Sequence, residues 1–229
     1  MKRIIPLVVA ALVGVGAYFV FVAPSGQDTP VAASTVVEPV ATAADNADEN
    51  ADLDTSLIPD MSLGNADAPV TVIEYASYTC PHCANFHSGV FKDLKRDYID
   101  TDKINFVYRE VYFDRYGLWA SMIARCAGPD KFFGLTDLIY SGQSTWSRAG
   151  EPSAIIGELR KIGRLAGLSD ETLQACLEDD TKARTLVAWY QENAEEDGVR
   201  STPSFVINGT TYNNMSFEEM SKLIDEAAE

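Results

Sequence analysis

The stretch Val70–Cys83, VTVIEYASYTCPHC, joins an apolar segment directly to two cysteines separated by two residues. Val70–Tyr78 is rich in β-branched and aromatic residues on both faces, which predicts a central strand buried on both sides. After Cys83, apolar residues recur at helical spacing, and Pro81 suits a first helical turn because its missing N–H would have no partner there. A second apolar segment, Ile104–Phe113, completes a predicted parallel β-α-β unit.

The C-terminal part of the chain supplies a second unit. Pro203–Ile207 predicts a short strand, Asn208-Gly209 a hairpin turn, and Ser216 with Glu219 a capping box for a final helix. Between the two units, residues 114–198 or so have the apolar spacing of helices. The sequence therefore predicts an α/β fold, in which β-α-β and β-β-α units form one mixed sheet with an inserted helical subdomain.

The N-terminal segment, residues 1–23, has the pattern of an export signal. Lys2 and Arg3 precede an apolar run over residues 4–23. The run is about 20 residues long, near the length that crosses a bilayer and longer than the apolar part of most cleaved signals. We expect an uncleaved membrane anchor, with a cleaved signal as the alternative, and both export the rest of the chain.

The formal net charge of −16 is unevenly distributed. Residues 24–60 contain eight acidic residues and no Lys or Arg, whereas residues 61–229 carry a net −10. We expect residues 24–56 to form a disordered acidic linker and residues 57–229 to form the folded domain. The acidic excess argues against a nucleic-acid-binding protein, since phosphates require Lys and Arg.

The motif Cys80-Pro81-His82-Cys83 at a strand-to-helix junction predicts redox chemistry. Free N–H groups and the helix dipole favour a thiolate at Cys80, and His82 adds a donor or a positive charge. A lowered pKa at Cys80 stabilises the reduced pair and makes the disulfide more oxidising. A structural disulfide and a metal site are the alternatives, although zinc requires four ligands and His82 and His87 are the only histidines.

The order of these features resembles the DsbA-like branch of the thioredoxin superfamily. An export segment, a β-α-β unit with C-P-H-C, a helical insert and Thr202-Pro203 before the last unit all fit, over about residues 57–229. The resemblance implies that Cys80 is the nucleophile, that Cys83 resolves the mixed disulfide, and that a cis bond before Pro203 faces the pair. Thr202 departs from the valine of the best-known oxidases and is more typical of isomerases, which leaves substrate and partner preference open.

The resemblance also gives Glu74 a role. By composition alone, Glu74 would be a solvated edge residue, but the family places an acid beneath the cysteine pair, where it can relay protons to Cys83. Arg109, in the second predicted strand, is expected to pair with this carboxylate. A further acid of some relatives is replaced by His87, which we expect to be a packed or surface residue rather than a ligand.

Cys126 and Cys176 lie on two predicted helices of the insert. Cysteines that are close in space pair in an oxidising compartment, so we expect a structural disulfide here, with two buried thiols as the alternative. A loop of about 50 residues predicts roughly 4 kcal/mol of stabilisation from such a bond.

The sequence thus predicts a monomeric thiol:disulfide oxidoreductase without a bound cofactor or metal. We expect it to lie in the periplasm or another extracytoplasmic space, anchored to the inner membrane by residues 4–23. Its expected substrates are reduced or unfolded exported proteins, and the resemblance implies that a quinone-linked membrane protein of the DsbB type reoxidises it. A reductase or isomerase with the same fold is one alternative. A metal-handling C-x-x-C module is the alternative from another class.

Overall fold

The structure is a computed structural model that describes residues 53–229. The predicted anchor and nearly all of the predicted linker lie outside the described residues. Among residues 53–229, no helix has the length and apolar character needed to cross a bilayer.

A five-stranded mixed sheet forms the base of the fold. Its strands follow the spatial order β1-β3-β2-β4-β5. β2 runs parallel to β3, and the other neighbouring strands are antiparallel. This topology confirms the predicted β-α-β and β-β-α units around a central β2. The strand bounds are Met61–Gly64 (β1), Val70–Ala76 (β2), Ile104–Glu110 (β3), Ser204–Ile207 (β4) and Thr210–Asn213 (β5).

The edge strand β1 is not predicted by the sequence pattern. It has only four residues, too few to display a period, and it forms because Met61 pairs opposite Tyr108 of β3. A 3-10 turn over Thr55–Leu57 precedes it, and the Asp54 side chain accepts a hydrogen bond from Ser56 N–H. Among residues 53–229, regular structure therefore begins at Thr55, within the last residues of the predicted linker.

The connection between β2 and β3 consists of three short helical segments. These are α1 (Pro81–Ser88), α2 (Val90–Leu94) and a π-helical turn (Lys95–Ile99). The apolar spacing predicts one continuous helix, but Gly89 adopts φ −124° and ψ −94°, outside the helical region, and breaks it. The break leaves α1 as a short helix whose N-terminus carries the cysteine pair.

The predicted helical insert is present between β3 and β4. Ser169 caps one of its helices by accepting a hydrogen bond from Thr172 N–H at 3.2 Å, as predicted, and Ser216 caps the final helix in the same way through Glu219 N–H. The bounds are Arg115–Cys126 (α3), Pro129–Ser141 (α4), Gln143–Trp146 (α5), Pro152–Leu165 (α6), Asp170–Leu177 (α7), Asp180–Glu196 (α8) and, after β5, Phe217–Ala227 (α9).

The sheet and the insert share one apolar core. Val72 and Phe106 of the sheet belong to the same buried cluster as Ile123 and Leu135 of the insert. Cys83 is part of this cluster, and α1 packs against α4. The cysteine pair therefore lies where the sheet and the insert meet.

A buried ion pair fastens the insert to the end of β3. Arg125 of α3 donates to both carboxylate oxygens of Glu110, at 2.7 and 2.6 Å, and also to the main-chain oxygen of Pro59 at 2.9 Å. Both charged side chains are almost completely buried. Their charges are tolerable in the core because each is paired and hydrogen-bonded.

Candidate active site

Cys80 and Cys83 are presented by the first turn of α1. Cys80 is the residue before the helix, with extended backbone angles, and Pro81 begins the helix. Both cysteines are free thiols, but Cys80 retains 8% exposure whereas Cys83 is fully buried. Pro81 and His82 are exposed to solvent beside them. An incoming thiol can therefore reach Cys80 and not Cys83.

The surroundings of the pair separate the two thiol pKa values. A hydrogen bond from Cys83 is the main cause that lowers the pKa of Cys80 to about 5, against the opposing effect of burial. The Thr202 side chain and the main-chain N–H groups of Cys83 and His82 lower this pKa further. Burial, the hydrogen bond to Cys80 and the charge of Glu74 all raise the pKa of Cys83. At neutral pH the reduced pair is thus one thiolate and one thiol.

His82 acts on Cys80 differently from the sequence expectation. Its contribution to the pKa of Cys80 comes from the main-chain N–H, and its imidazole is exposed. His82 therefore lowers the pKa of Cys80 through its place in the first turn of α1, where N–H groups point towards the sulfur.

The segment Thr202-Pro203 lies beside Cys80. The peptide bond between these residues is cis, and the Cys80 sulfur lies 3.5 Å from the carbonyl oxygen of Thr202. Pro203 is buried, and β4 begins at Ser204, opposite Tyr75 of β2. A ligand bonded to the Cys80 sulfur would therefore meet the main chain of this segment.

Glu74 is completely buried in the central strand rather than at a solvated edge. Its two carboxylate oxygens lie 3.1 and 2.9 Å from Nε2 of His87, which is also buried. The charge of this carboxylate raises the pKa of Cys83. The fold thus brings Glu74, His87 and Cys83 together behind the reactive sulfur.

The expected pairing of Arg109 with Glu74 is wrong. Arg109 binds both carboxylate oxygens of Asp60, at 2.9 and 3.0 Å, and also contacts Asp197 at 3.3 Å. The reason is the register of β2 and β3, which sets Arg109 directly opposite Tyr75. Side chains directly opposite share one face of a sheet and successive side chains alternate, so Arg109 and Glu74 face opposite sides.

Two residues of the insert complete the site. The Gln143 side-chain amide donates to the carbonyl oxygens of Tyr78 and Cys80, at 2.8 and 2.9 Å. The Tyr140 ring stacks on the His87 imidazole, with centroids 4.4 Å apart. Sequence reasoning does not identify either residue, because a lone Gln or Tyr on a helix carries no motif and the contacts arise only from packing of the insert.

An open cleft of about 600 Å³ adjoins Pro81, between α1 and the insert. Asn85, Asp114, Gln143 and Arg148 give its wall a mixed polar character. Such a surface can contact polar chain segments on either side of a reacting cysteine.

The remaining two cysteines form a separate feature. Cys126, at the end of α3, and Cys176, in α7, are joined by a disulfide with a Cα–Cα distance of 6.1 Å. The bond links two helices of the insert and takes no part in the Cys80 surroundings described above. Within the described part of the chain, no cluster of three or more His, Cys, Asp or Glu side chains could hold a metal ion.

Comparison of the sequence with protein families and curated proteins agrees with this geometry. A family model described as Thioredoxin matches residues 56–226. A putative protein-disulfide oxidoreductase of Rickettsia bellii is 40% identical over 171 residues, which is 74% of this chain and 65% of that protein. Disulfide bond formation protein D of Bacillus subtilis is 27% identical over 169 residues, 72% of this chain and 75% of that protein. The chain thus spans somewhat less than two thirds of the length of the rickettsial relative.

Solved structures show the same similarity. Wolbachia pipientis alpha-DsbA1 superposes with a TM-score of 0.67 at 26% identity, covering 76% of this chain and 95% of that one. Oxidised BdbD of Bacillus subtilis has a TM-score of 0.66 at 23% identity, and the superposition covers 74% of this chain and 92% of that one. The expected resemblance is confirmed: the chain belongs to the thioredoxin family, among its DsbA-like members.

Proposed function

We propose that this chain is a protein thiol:disulfide oxidoreductase that introduces disulfides into exported proteins. The observation that carries the proposal is the contrast between Cys80, whose pKa is lowered to about 5, and Cys83, whose pKa is raised. A stable thiolate at Cys80 favours the reduced pair, and a protein that is stable when reduced is a good acceptor of electrons from other thiols.

The reaction begins with Cys80 and Cys83 joined as a disulfide. A substrate thiolate attacks Sγ of Cys80, the bond between the two cysteines breaks, and Cys83 leaves with the electron pair. Cys83 then takes up a proton, because its pKa is raised. A second thiolate of the substrate attacks the substrate sulfur of the mixed disulfide, and Cys80 leaves as a thiolate. Two electrons have passed to the cysteine pair, and the substrate has gained a disulfide.

Thr202 and Pro203 are proposed to hold the substrate. Their cis peptide lies against the Cys80 sulfur, so the main chain on either side of a substrate cysteine would run past it. Extended chains bind to exposed main chain by strand addition, which selects an unfolded segment without selecting its sequence. Pro81 and His82, exposed beside Cys80, would form the other side of the contact.

A reductase or isomerase is the second candidate. Thr202 favours it, since this residue is more typical of isomerases in the family. The low pKa of Cys80 favours the oxidase, because a reductase requires a disulfide that is hard to reduce. An oxidase and a reductase or isomerase differ in one measurable property, the reduction potential of the Cys80–Cys83 pair.

The cellular setting belongs to the same proposal. We propose that residues 1–23 export and anchor the chain, that residues 24–56 form a linker, and that residues 57–229 act as a monomeric catalytic domain on the periplasmic side. Reduced exported proteins would be the substrates, and a quinone-linked membrane protein of the DsbB type would reoxidise the pair. A flexible linker would let the domain reach chains that emerge near the membrane.

Trapping of mixed disulfides tests the activity. A full-length Cys83→Ala variant, which cannot resolve the adduct, should accumulate disulfide-linked partners through Cys80, and the Cys80→Ala/Cys83→Ala variant should capture none. Recovery of no partners through Cys80 contradicts the proposal.

The reduction potential tests the direction. We expect a value nearer to DsbA's, about −120 mV, than to thioredoxin's, about −270 mV. A value at the thioredoxin end would favour the reductase.

A further inference from the structure

The open cleft that adjoins Pro81, the Pro81 cleft, lies directly beside the reactive sulfur. Thr79 and Pro81, the two neighbours of Cys80 in the chain, both line this cleft, whose volume is about 600 Å³. An extended chain advances about 3.3–3.6 Å per residue, so substrate residues within about four positions of a cysteine bonded to Cys80 can reach the cleft. The side chains on its wall therefore meet a segment of the substrate that is close to the reacting cysteine.

Arg148 supplies a free positive charge to the Pro81 cleft. This residue follows α5, and its side chain is exposed to solvent. Among residues 53–229, no carboxylate lies within ion-pair distance of its guanidinium group, and no hydrogen bond holds that group. The five N–H donors of the guanidinium group are thus available to a ligand.

Asp114 is the one carboxylate among the residues that line the Pro81 cleft, and its oxygens already have partners. It accepts hydrogen bonds from the Thr79 hydroxyl at 2.8 Å and from the N–H groups of Tyr116 and Gly117 at 2.8 and 2.9 Å. The N-terminal end of α3, which Asp114 caps, also compensates its negative charge. No carboxylate of the cleft therefore neutralises Arg148.

This balance of charge differs from that of the rest of the domain. Residues 61–229 carry a net charge of −10, and a second open cleft, of about 460 Å³, has Glu195 beside Arg200. The wall of the Pro81 cleft instead adds neutral donors to its cation. The side chains of Asn85, Ser141 and Ser144 are exposed there and form no hydrogen bond within residues 53–229. Their N–H and O–H groups can bind the carbonyl and carboxylate oxygens of a ligand.

We propose that the Pro81 cleft is a specificity site, in which Arg148 binds an acidic side chain of the substrate close to its reacting cysteine. The inference rests on the proposed function for the presence of a protein substrate at Cys80. An arginine and a carboxylate can form two parallel hydrogen bonds, which fix both position and orientation. The main chain of Thr202 and Pro203 binds an extended segment whatever its sequence, and Arg148 adds a preference for acidic segments.

The test compares dithiol peptides that carry Glu, Gln or Lys at successive positions around the first cysteine. Oxidised full-length protein is mixed with each peptide, and acid quenching with mass spectrometry follows the formation of the reduced protein. At one or more positions we expect the Glu peptide to react about 3- to 5-fold faster than the Gln peptide, with the Lys peptide slowest. The contrast should shrink at high salt, because salt screens exposed charges.

Substitutions of Arg148 assign this preference to one side chain. Arg148→Gln should bring the Glu and Gln peptides to equal rates, and Arg148→Glu should make the Lys peptide the fastest. Arg148→Lys keeps the charge but loses the two-bond geometry, so the order of the peptides should stay and the contrast should fall. A Glu preference that persists in Arg148→Gln would overturn the inference.

Arg184→Glu is the matched control. Arg184 is an exposed residue of α8 that forms no ion pair within residues 53–229 and does not line the Pro81 cleft. The changes at Arg184 and at Arg148 alter the net charge equally, so an effect of net charge alone would appear in both variants. Arg184→Glu should keep the order and the contrast of the wild type, and an equal loss in this variant would refute a local contact. Alkylation of reduced Cys80 by iodoacetamide should proceed at the same rate in all variants.

Trapping separates this inference from the proposed function. Partners trapped by Cys83→Ala, together with equal rates for the Glu and Gln peptides, would refute the specificity site alone. A Glu preference that depends on Arg148, without any trapped partner, would refute the proposed function alone. If acidic residues 24–60 of this chain occupied the cleft, Arg148→Glu would accelerate every peptide alike, and this result would overturn the assignment to substrates.

Discussion

As the pH rises from 5 to 8, the reduced protein should gain stability relative to a variant that carries serine at position 80. The pKa of Cys80 is lowered from 9.0 to about 5, and each unit corresponds to about 1.4 kcal/mol. Because the pKa of Cys80 is lower in the folded state than in the unfolded state, its ionisation stabilises the fold. This stabilisation is complete above the unfolded-state pKa and is lost as the pH falls through the folded-state pKa. At pH 7, two units above the folded pKa, the thiolate contributes about 3 kcal/mol of unfolding free energy.

Denaturant unfolding of the reduced chain at several pH values measures this directly. The Cys80→Ser variant is treated identically, and subtracting its unfolding free energy removes the pH dependence that all other titrating groups contribute. Cys83 adds little to the pH dependence of the unfolding free energy below pH 8, because its thiol is protonated in the folded and the unfolded state alike. The difference in unfolding free energy between the two proteins should grow by about 1.4 kcal/mol per pH unit. A difference that is flat between pH 5 and 8 would refute the thiolate account, and with it the basis of the oxidase proposal.

Three further perturbations have defined outcomes. Thr202→Val removes a side-chain hydrogen bond to Cys80, so the pKa of that thiol should rise above 5 and the cysteine pair should become less oxidising. Thiolate absorbance measures the pKa, and an unchanged value would contradict this expectation. Replacing Cys126 and Cys176 by Ala should lower the unfolding free energy by about 4 kcal/mol while the Cys80 pKa stays as it was; a loss of thiol reactivity without unfolding would contradict the separation of the two pairs. Glu110→Gln breaks a buried ion pair and should cost about 3–5 kcal/mol in denaturant unfolding, against less than about 0.5 kcal/mol for an exposed acid replaced in the same way.

The sequence predicts those parts of the site that are local in the chain. A strand followed by Cys80-Pro81-His82-Cys83 and a helix is continuous in sequence, so its geometry follows from strand and helix patterns alone. The first residues of β2 and β3 follow equally well from their apolar runs, since a buried central strand needs no partner to be recognised. The strands end at Ala76 and Glu110, two and three residues before the ends of the predicted runs.

The contacts of Glu74 could not be predicted in the same way. Which charged residue meets this carboxylate depends on which face of the sheet it occupies, and that depends on the register of β2 with β3. His87 meets it because α1 lies over that face, whereas Arg109 points to the other side. The break at Gly89 and the bonds from Gln143 likewise depend on tertiary packing that no local pattern reveals.

The bonds from Gln143 bear on how this domain could be re-engineered. Two carbonyl groups of the loop that carries Cys80 find their donor in the insert, and the donor side chain is buried there. A graft that exchanged the insert for a shorter connection would leave both carbonyl oxygens without that donor, at about 1–3 kcal/mol for each one left buried. The insert is therefore not a detachable module, and chimeras should keep α5 with the cysteine loop as one unit.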